Sequence, residues 1–163
     1  MNYNYRKGYG DKQILEINDA RIIFRNFSGV GDKYNREGDR NFSVVIPNVE
    51  IAEALKKDGW NVKEKEAEDG SVLYRLPVKV SYANRGPAIY VVSGNNDPVR
   101  LDENTVDMLD NIDIMSVDMD INPYHWELRD GTKGVAAYLD AMRVVQNVDR
   151  FGAMYANKEE APF

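Results

Sequence analysis

The sequence contains no cysteine, a single histidine and no long apolar run. Without cysteine the chain forms neither a disulfide nor a thiolate metal site, and this composition suits a reducing compartment. No apolar segment approaches the ~20 residues that a membrane-spanning helix requires. Residues 1–12 also lack the apolar core of a signal peptide. We therefore expect a soluble, cytoplasmic protein.

Sequence motifs typical of catalysis are also missing. There is no Gly-x-Ser-x-Gly elbow and no phosphate-binding GxxxxGK[ST] loop. The lone His125 stands between two aromatic residues before a turn, where a structural role is more common than a catalytic one. Clustered carboxylates at Asp113, Asp118 and Asp120 could bind Mg²⁺, but in a regular strand Asp113 lies on the opposite face from the other two. We expect no enzyme activity, cofactor or metal, and a nuclease using Asp118 and Asp120 is a remote alternative.

The negative charge of the chain is unevenly distributed. The 163 residues have a net charge of −6, yet residues 1–85 contain 15 Lys and Arg against 13 Asp and Glu, whereas residues 86–163 contain 6 against 14. A protein can bind a polyanion through a local basic groove although its overall charge is negative. The charge therefore permits nucleic-acid binding without proving it.

Alternating apolar residues and turn signals predict a mostly β fold. A long strand from Ile14 to Phe27, bent near Asn18–Asp19, is followed by about six more strands, mostly joined as hairpins. Two short helices are expected, one capped by Asn48 and one over residues 102–109. We predict an OB-fold-like antiparallel barrel with extra strands over residues 14–146, preceded by a flexible arm (1–13) and followed by a disordered acidic tail (147–163).

The segment from Asp19 to Pro47 contains the first indication of a binding surface. Strand alternation places Arg21, Arg25 and Phe27 on one face, and Phe24 on the core side. A Gly-rich loop with further basic and aromatic residues follows. Cations for phosphates and flat rings for bases suit an extended single-stranded nucleic acid. The alternative is a plain strand and a solvated loop with ordinary surface charge.

Aromatic residues elsewhere strengthen this interpretation. Several rings, at Phe27, Tyr34, Trp60, Tyr82 and Tyr90, lie near cationic or loop residues in the sequence. Stacking on a base contributes about 1–3 kcal/mol per ring with little regard for base identity. Other rings, including Phe24 and Phe42, are expected in the core.

The last residues form a candidate partner-binding tail. Lys158–Phe163 ends in an aromatic side chain followed by an α-carboxylate, which a pocket and a basic residue on a partner could recognise. Glu159 and Glu160 would favour a basic rim on that partner. The candidate tail residues are Glu159, Glu160, Pro162 and Phe163. The alternative is an uninformative terminus.

These features resemble single-stranded DNA-binding proteins, in particular those encoded by bacteriophages. The tail is similar to the acidic tip of the bacterial proteins, which ends in Ile-Pro-Phe, although Ala161 replaces the isoleucine and only two acids precede it. The body, from Ile14 to Gln146, resembles the phage OB-fold proteins through its strand–loop–strand start. The run Asn122–Trp126, the turn to Gly134 and the strand Val135–Leu139 resemble their closing segment.

The resemblance implies a non-enzymatic protein that coats single-stranded DNA with little sequence preference during phage replication or recombination. The tail would recruit replication and recombination proteins, and the protein would act in the host cytoplasm as a monomer or dimer. With Trp60 from the aromatic set, the implied DNA-binding residues are Arg21, Arg25, Phe27, Lys33, Tyr34, Arg36, Arg40, Trp60, Arg75 and Lys79. A different class of function, a phage structural or interaction protein on a β-sandwich, remains the alternative.

Overall fold

The computed structural model describes residues 1–148 and confirms a mostly β fold with one α-helix. Short 3₁₀ turns cover Tyr9–Asp11 and Val106–Asp110. The elements are β1 (Asn2–Lys7), β2 (Gln13–Ala20), β3 (Ile22–Asn26), β4 (Arg40–Ile46), α1 (Val49–Lys57), β5 (Lys63–Glu66), β6 (Val72–Val80), β7 (Ala88–Ser93), β8 (Val99–Leu101), β9 (Ile114–Glu127) and β10 (Lys133–Gln146).

The segment formed by β2 and β3 is bent, and it closes the sheet into a barrel. The hydrogen-bonded order runs β1-β2-β9-β10-β6-β4-β3, and only Arg21 separates β2 from β3 along the chain. The two halves of this segment therefore pair with opposite ends of the sheet, β2 with β9 and β3 with β4. Asp19 has a φ of 53°, at the bend that the sequence predicts. The resulting ring has the strand order of an OB barrel.

Two strand pairs are parallel, which the sequence did not predict. β10 runs parallel to β6 and, at its other end, to β7. Pro77 lies where β6 changes partner from β5, paired with residues 72–75, to β10, paired with Val78 and Lys79. A residue without an N–H is tolerated at such a change of partner. The barrel is thus antiparallel except where β10 completes it.

The barrel interior is filled by alternating apolar side chains. Leu15 and Ile17 of β2, Phe42 and Val44 of β4, and their counterparts on β6, β9 and β10 form one buried cluster. A fully buried side chain of this kind contributes about 1.5–3 kcal/mol relative to an exposed one. The intervening positions face outward, and on β4, β6 and β10 they form the surface described below.

The helix α1 forms as the sequence predicts. The Asn48 side chain accepts a hydrogen bond from the Ile51 N–H at 2.9 Å, and Lys56 and Lys57 occupy the last turn, where they favour the helix dipole. Gly59 follows with a φ of 96°. Leu55 is buried as expected, and Ala52 joins it in the core. The helix therefore covers the core beside β4 and β6.

Two local predictions need correction. The predicted flexible arm contains strand β1, which pairs with β2 from Asn2↔Asn18 to Lys7↔Gln13, because Tyr3 and Tyr5 pack against the core. The second predicted helix is a turn followed by the 3₁₀ segment Val106–Asp110, because the Asp102 side chain accepts bonds from the Asn104 and Thr105 N–H groups.

Candidate nucleic-acid interface

A groove of about 1290 Å³ lies on the outer face of β4, β6 and β10, and we call it the main groove. Small or compact side chains, Ser43, Pro77 and Ala136, line it on successive strands. The loop between β3 and β4 forms one wall, and residues 79–83 contribute to the other. The strands thus provide a shallow floor between polar and aromatic walls.

Three cations of the main groove lie over aromatic rings. The Arg75 guanidinium is 5.2 Å from the Phe24 ring centre, that of Arg40 is 5.2 Å from Tyr82, and the Lys79 ammonium is 5.7 Å from Tyr138. Within residues 1–148 none of these three cations forms an ion pair. A cation over a ring is held in place without being neutralised, so it can still attract a phosphate.

Hydrogen bonds orient two of these cations further. Arg75 donates to the Ser43 hydroxyl at 2.8 Å. Arg40 donates to the Phe27 and Glu103 carbonyls, both at 3.1 Å. These acceptors carry no net charge, so both guanidinium groups keep their positive charge on the groove surface.

Phe24 and Phe27 exchange the roles that the sequence assigns to them. Phe24, predicted in the core, is 60% exposed and lines the main groove, whereas Phe27, predicted on the DNA face, is 0% exposed and stacks on Phe42. The pairing of β3 with β4 shifts register between Ile23 and Asn26, and Phe24 has a φ of 53°. One such irregularity transfers every later side chain to the opposite face.

Trp60 also leaves the set of predicted DNA contacts. Its side chain is 5% exposed, and its indole N–H donates to the Tyr5 hydroxyl at 2.9 Å. Tyr5 in turn donates to Asp58, and burial is the main reason that the pKa of Tyr5 is raised. A buried ring with this partner has no free face for a base.

Arg25 lines the main groove, but its guanidinium group is already bonded to backbone carbonyls of the protein. One terminal nitrogen donates to the Leu109 and Ile112 carbonyls, each at 2.7 Å. The Asp110 carboxylate accepts the N–H groups of Phe27 and Ser28. Together these bonds fasten the 3₁₀ segment to the end of β3, so Arg25 has a structural task in this conformation.

The β3–β4 loop is ordered by its own polar groups. The Asp32 carboxylate accepts the N–H groups of Tyr34 and Asn35, and the Asn35 amide donates to the Val30 and Asp39 carbonyls. This arrangement leaves the Tyr34 side chain 89% exposed at the groove. Tyr34 is therefore available for stacking, as the sequence predicts.

The remaining predicted cations differ in position. Arg36 lines the main groove and pairs with Asp39 at 3.6 Å. Lys33 lies outside the groove lining, with its ammonium 5.6 Å from the Tyr34 ring centre. Arg21 is exposed at the β2–β3 bend and does not line the groove.

Two groove rings, Tyr138 and Tyr82, were absent from the predicted site. Tyr138 belongs to a strand that is apolar on both faces, so its sequence gives no sign that the ring lies outside the core. Tyr82 was noted as an aromatic residue near cations, and the Arg40 contact is the reason that it belongs here. Its hydroxyl is buried without a hydrogen-bond partner in residues 1–148, and burial raises its pKa.

The two carboxylates predicted as metal ligands on β9 are paired with arginines, which argues against a metal site there. Asp120 lies 3.1 Å from Arg6, and Asp118 lies 3.8 Å from Arg143. Desolvation by burial raises the pKa of Asp120 despite this cation. Across residues 1–148 no group of three His, Cys, Asp or Glu side chains could hold a metal ion.

Two further predictions concern the tail and the absence of a membrane-spanning helix. The tail residues Glu159, Glu160, Pro162 and Phe163 lie outside the described residues. Among residues 1–148, no helix has both the length and the apolar character needed to cross a membrane.

A family model supports the predicted resemblance. The model of the family described as "putative phage ssDNA-binding domain" matches residues 6–162. The single-stranded DNA-binding protein from bacteriophage Enc34 is a similar solved structure, with 12% identity, a TM-score of 0.49 and coverage of 93% of this chain and 94% of that chain. A second similar structure is gp2.5, a single-stranded DNA-binding protein of bacteriophage T7. It has 10% identity, a TM-score of 0.40 and coverage of 93% of this chain and 98% of that chain. No curated protein matches the chain.

Proposed function

The chain belongs to the family of putative phage single-stranded-DNA-binding domains, and from this premise we propose that it coats single-stranded DNA with little sequence preference. The family is one of binding domains and not of enzymes. The observation that supports the proposal best is the main groove, where cations over rings keep their charge on the surface. Phosphates and base faces are common to all nucleotides, so these contacts do not select a sequence.

The groove residues divide into two roles. Arg40, Arg75 and Lys79 attract phosphates. Exposed or partly exposed rings, those of Phe24, Tyr34 and Tyr138, provide stacking surfaces next to them. Arg25 and Phe27 act indirectly, because they hold β3 and the 3₁₀ segment in place.

Equilibrium binding across a salt series tests this proposal. Fluorescence anisotropy with labelled oligo-dT and with mixed-sequence strands should give similar affinities that fall steeply with salt. For single strands, log K falls with log salt by about 0.7 per neutralised phosphate. A duplex of equal length serves as the control and should bind more weakly. Absence of oligo-dT binding at low salt would refute the proposal.

We further propose that the DNA-bound protein acts in phage replication or recombination in the host cytoplasm and recruits other proteins through its tail. The support is the sequence from Glu159 to Phe163, in which two acids are followed by Ala-Pro-Phe. Deleting Pro162 and Phe163 should leave oligo-dT binding unchanged and abolish pull-down of host replication proteins by the full chain. Pull-down that survives this deletion would contradict a role for the tail.

The β-sandwich alternative loses its structural basis. In a sandwich the two sheets remain separate, whereas here β2 and β3 join the two ends of one sheet through a single residue. No observation in residues 1–148 favours a purely structural role over DNA binding.

A further inference from the structure

A second groove of about 720 Å³ lies beside the main groove, and we call it the side groove. It is lined by Lys12, by the β6–β7 connection, by Arg100 of β8 and by the outer residues of β9 and β10. Ser81 and Tyr138 line both grooves. The two grooves therefore adjoin at these residues.

The side groove repeats the chemistry of the main groove. It contains three basic residues, Lys12, Arg85 and Arg100, against one carboxylate, Asp140. Within residues 1–148 none of the three basic side chains forms an ion pair. The Arg100 guanidinium lies 5.9 Å from the Tyr90 ring centre, again a cation held over a ring without neutralisation.

Tyr138 connects the two grooves through its ring contacts. On the main-groove side the Lys79 ammonium lies 5.7 Å from its centre. Tyr124, which lines the side groove and is 59% exposed, packs edge-on against the same ring at 5.9 Å. An exposed tyrosine thus continues the row of rings beyond Tyr138.

We propose that the side groove extends the DNA-binding surface, so that a strand in the main groove passes Tyr138 and continues along Tyr124, Arg85 and Arg100. This inference rests on the proposed function, because it assumes that the main groove holds single-stranded DNA. OB folds occupy about 4–16 nucleotides depending on the protein. A short oligonucleotide fills the main groove alone, whereas a long one occupies both.

The test compares oligonucleotide lengths in the full chain. Arg85→Ala combined with Arg100→Ala should bind short dT6 within about twofold of the unsubstituted protein. With long dT16 the same variant should bind more weakly, and its salt slope should be shallower by about 1.4, since each phosphate contact contributes about 0.7. Lys57 and Lys65 are exposed and line neither groove. The control variant Lys57→Ala with Lys65→Ala should therefore bind both dT6 and dT16 as the unsubstituted protein does.

The outcomes separate this inference from the proposed function. If the Arg85/Arg100 variant binds dT16 with the same affinity and salt slope as the unsubstituted protein, the side groove does not bind DNA. This result would leave the proposal for the main groove unaffected. An equal loss on dT6 and dT16 also overturns the side-groove inference, because the effect then does not depend on length. Failure of the unsubstituted protein to bind either length overturns the proposed function instead. Since Arg100 contacts Tyr90, the single variant Arg85→Ala, on an exposed loop, should reproduce half of the change in slope.

Discussion

Basic residues have different partners on two walls of the barrel. On the wall formed by β1, β2 and β9, Arg6 contacts both Glu16 at 3.3 Å and Asp120 at 3.1 Å, so carboxylates neutralise its charge. On the face of β4, β6 and β10, Arg75 and Lys79 lie over rings instead. The same residue types therefore produce a neutralised wall and a surface ready for a polyanion.

This difference explains how a chain of net charge −6 can bind DNA. Surface ion pairs contribute little to stability, typically less than about 1 kcal/mol, but they reduce the field that a ligand experiences. The main groove has four acidic residues, and the fold engages three of them: Asp32 and Asp110 accept backbone N–H groups, and Asp39 pairs with Arg36. The placement of charge therefore matters more than its sum.

The largest effect is expected for a substitution in the barrel core beneath the main groove. Phe27→Ala removes a fully buried ring that stacks on Phe42 and should lower the free energy of unfolding by about 3–5 kcal/mol. Urea denaturation followed by circular dichroism measures this loss. Phe24→Ala is the matched control three residues earlier in the chain and should change stability by less than about 1 kcal/mol, because its ring is mostly exposed. Similar losses in both variants would contradict the assignment of Phe24 to the surface.

The second prediction compares two variants, one that removes charge from the main groove and one that removes charge from β1. Arg75→Gln combined with Lys79→Gln should weaken oligo-dT binding at low salt on the order of a hundredfold, because two charge-assisted contacts are lost.

The matched control acts on the β1 wall. Arg6→Gln with Lys7→Gln removes two charges already paired with Glu16, Asp120 and Asp11, and should weaken binding by less than about threefold. Anisotropy at one fixed salt concentration compares the two pairs. Equal losses would show that overall charge, and not the groove, determines affinity.

The third prediction concerns stacking in the main groove. Phe24→Ala should weaken oligo-dT binding by about 1–3 kcal/mol, the range for a ring that stacks on a base. Because the lost interaction involves no phosphate, the salt slope should stay the same, which distinguishes this variant from the double glutamine variant. A shallower slope would indicate that the ring acts only by placing Arg75.

The smallest effect is expected at high pH on the β1 side. Burial and the bond to Asp58 raise the pKa of Tyr5 in the folded protein, so above the ordinary tyrosine pKa the unfolded chain ionises first and stability falls as pH rises. Tyr5→Phe should make the loss of stability above about pH 10 less steep. Thermal unfolding from pH 8 to 11 measures it, with Tyr9→Phe, at a 98% exposed residue, as the control. An unchanged slope in Tyr5→Phe would assign the alkaline loss to other groups.

Local patterns predicted much of this molecule because they act over a few residues. The bend near Asp19, the Asn48 cap and the apolar alternation of β4 and β6 all follow from spacing that is visible in the chain. The sequence named part of the main-groove lining, and the DNA binding of these residues stays a prediction; they are Arg25, Tyr34, Arg36, Arg40, Arg75 and Lys79. Trp60 was misplaced because it packs into the core and bonds to Tyr5, 55 residues away in the sequence, and no local pattern indicates these contacts.

The sequence by itself determined a mostly β chain, its uneven charge and the types of residue available for binding. Only the tertiary structure decided which face each residue occupies. One irregularity between Ile23 and Asn26 exchanged Phe24 with Phe27, since side chains alternate and a shift of one residue transfers them to the other face. Closure of the barrel then brought Lys79 of β6 beside Tyr138 of β10, 59 positions further along the chain. Such contacts depend on strand pairing over long separations, which no local pattern encodes.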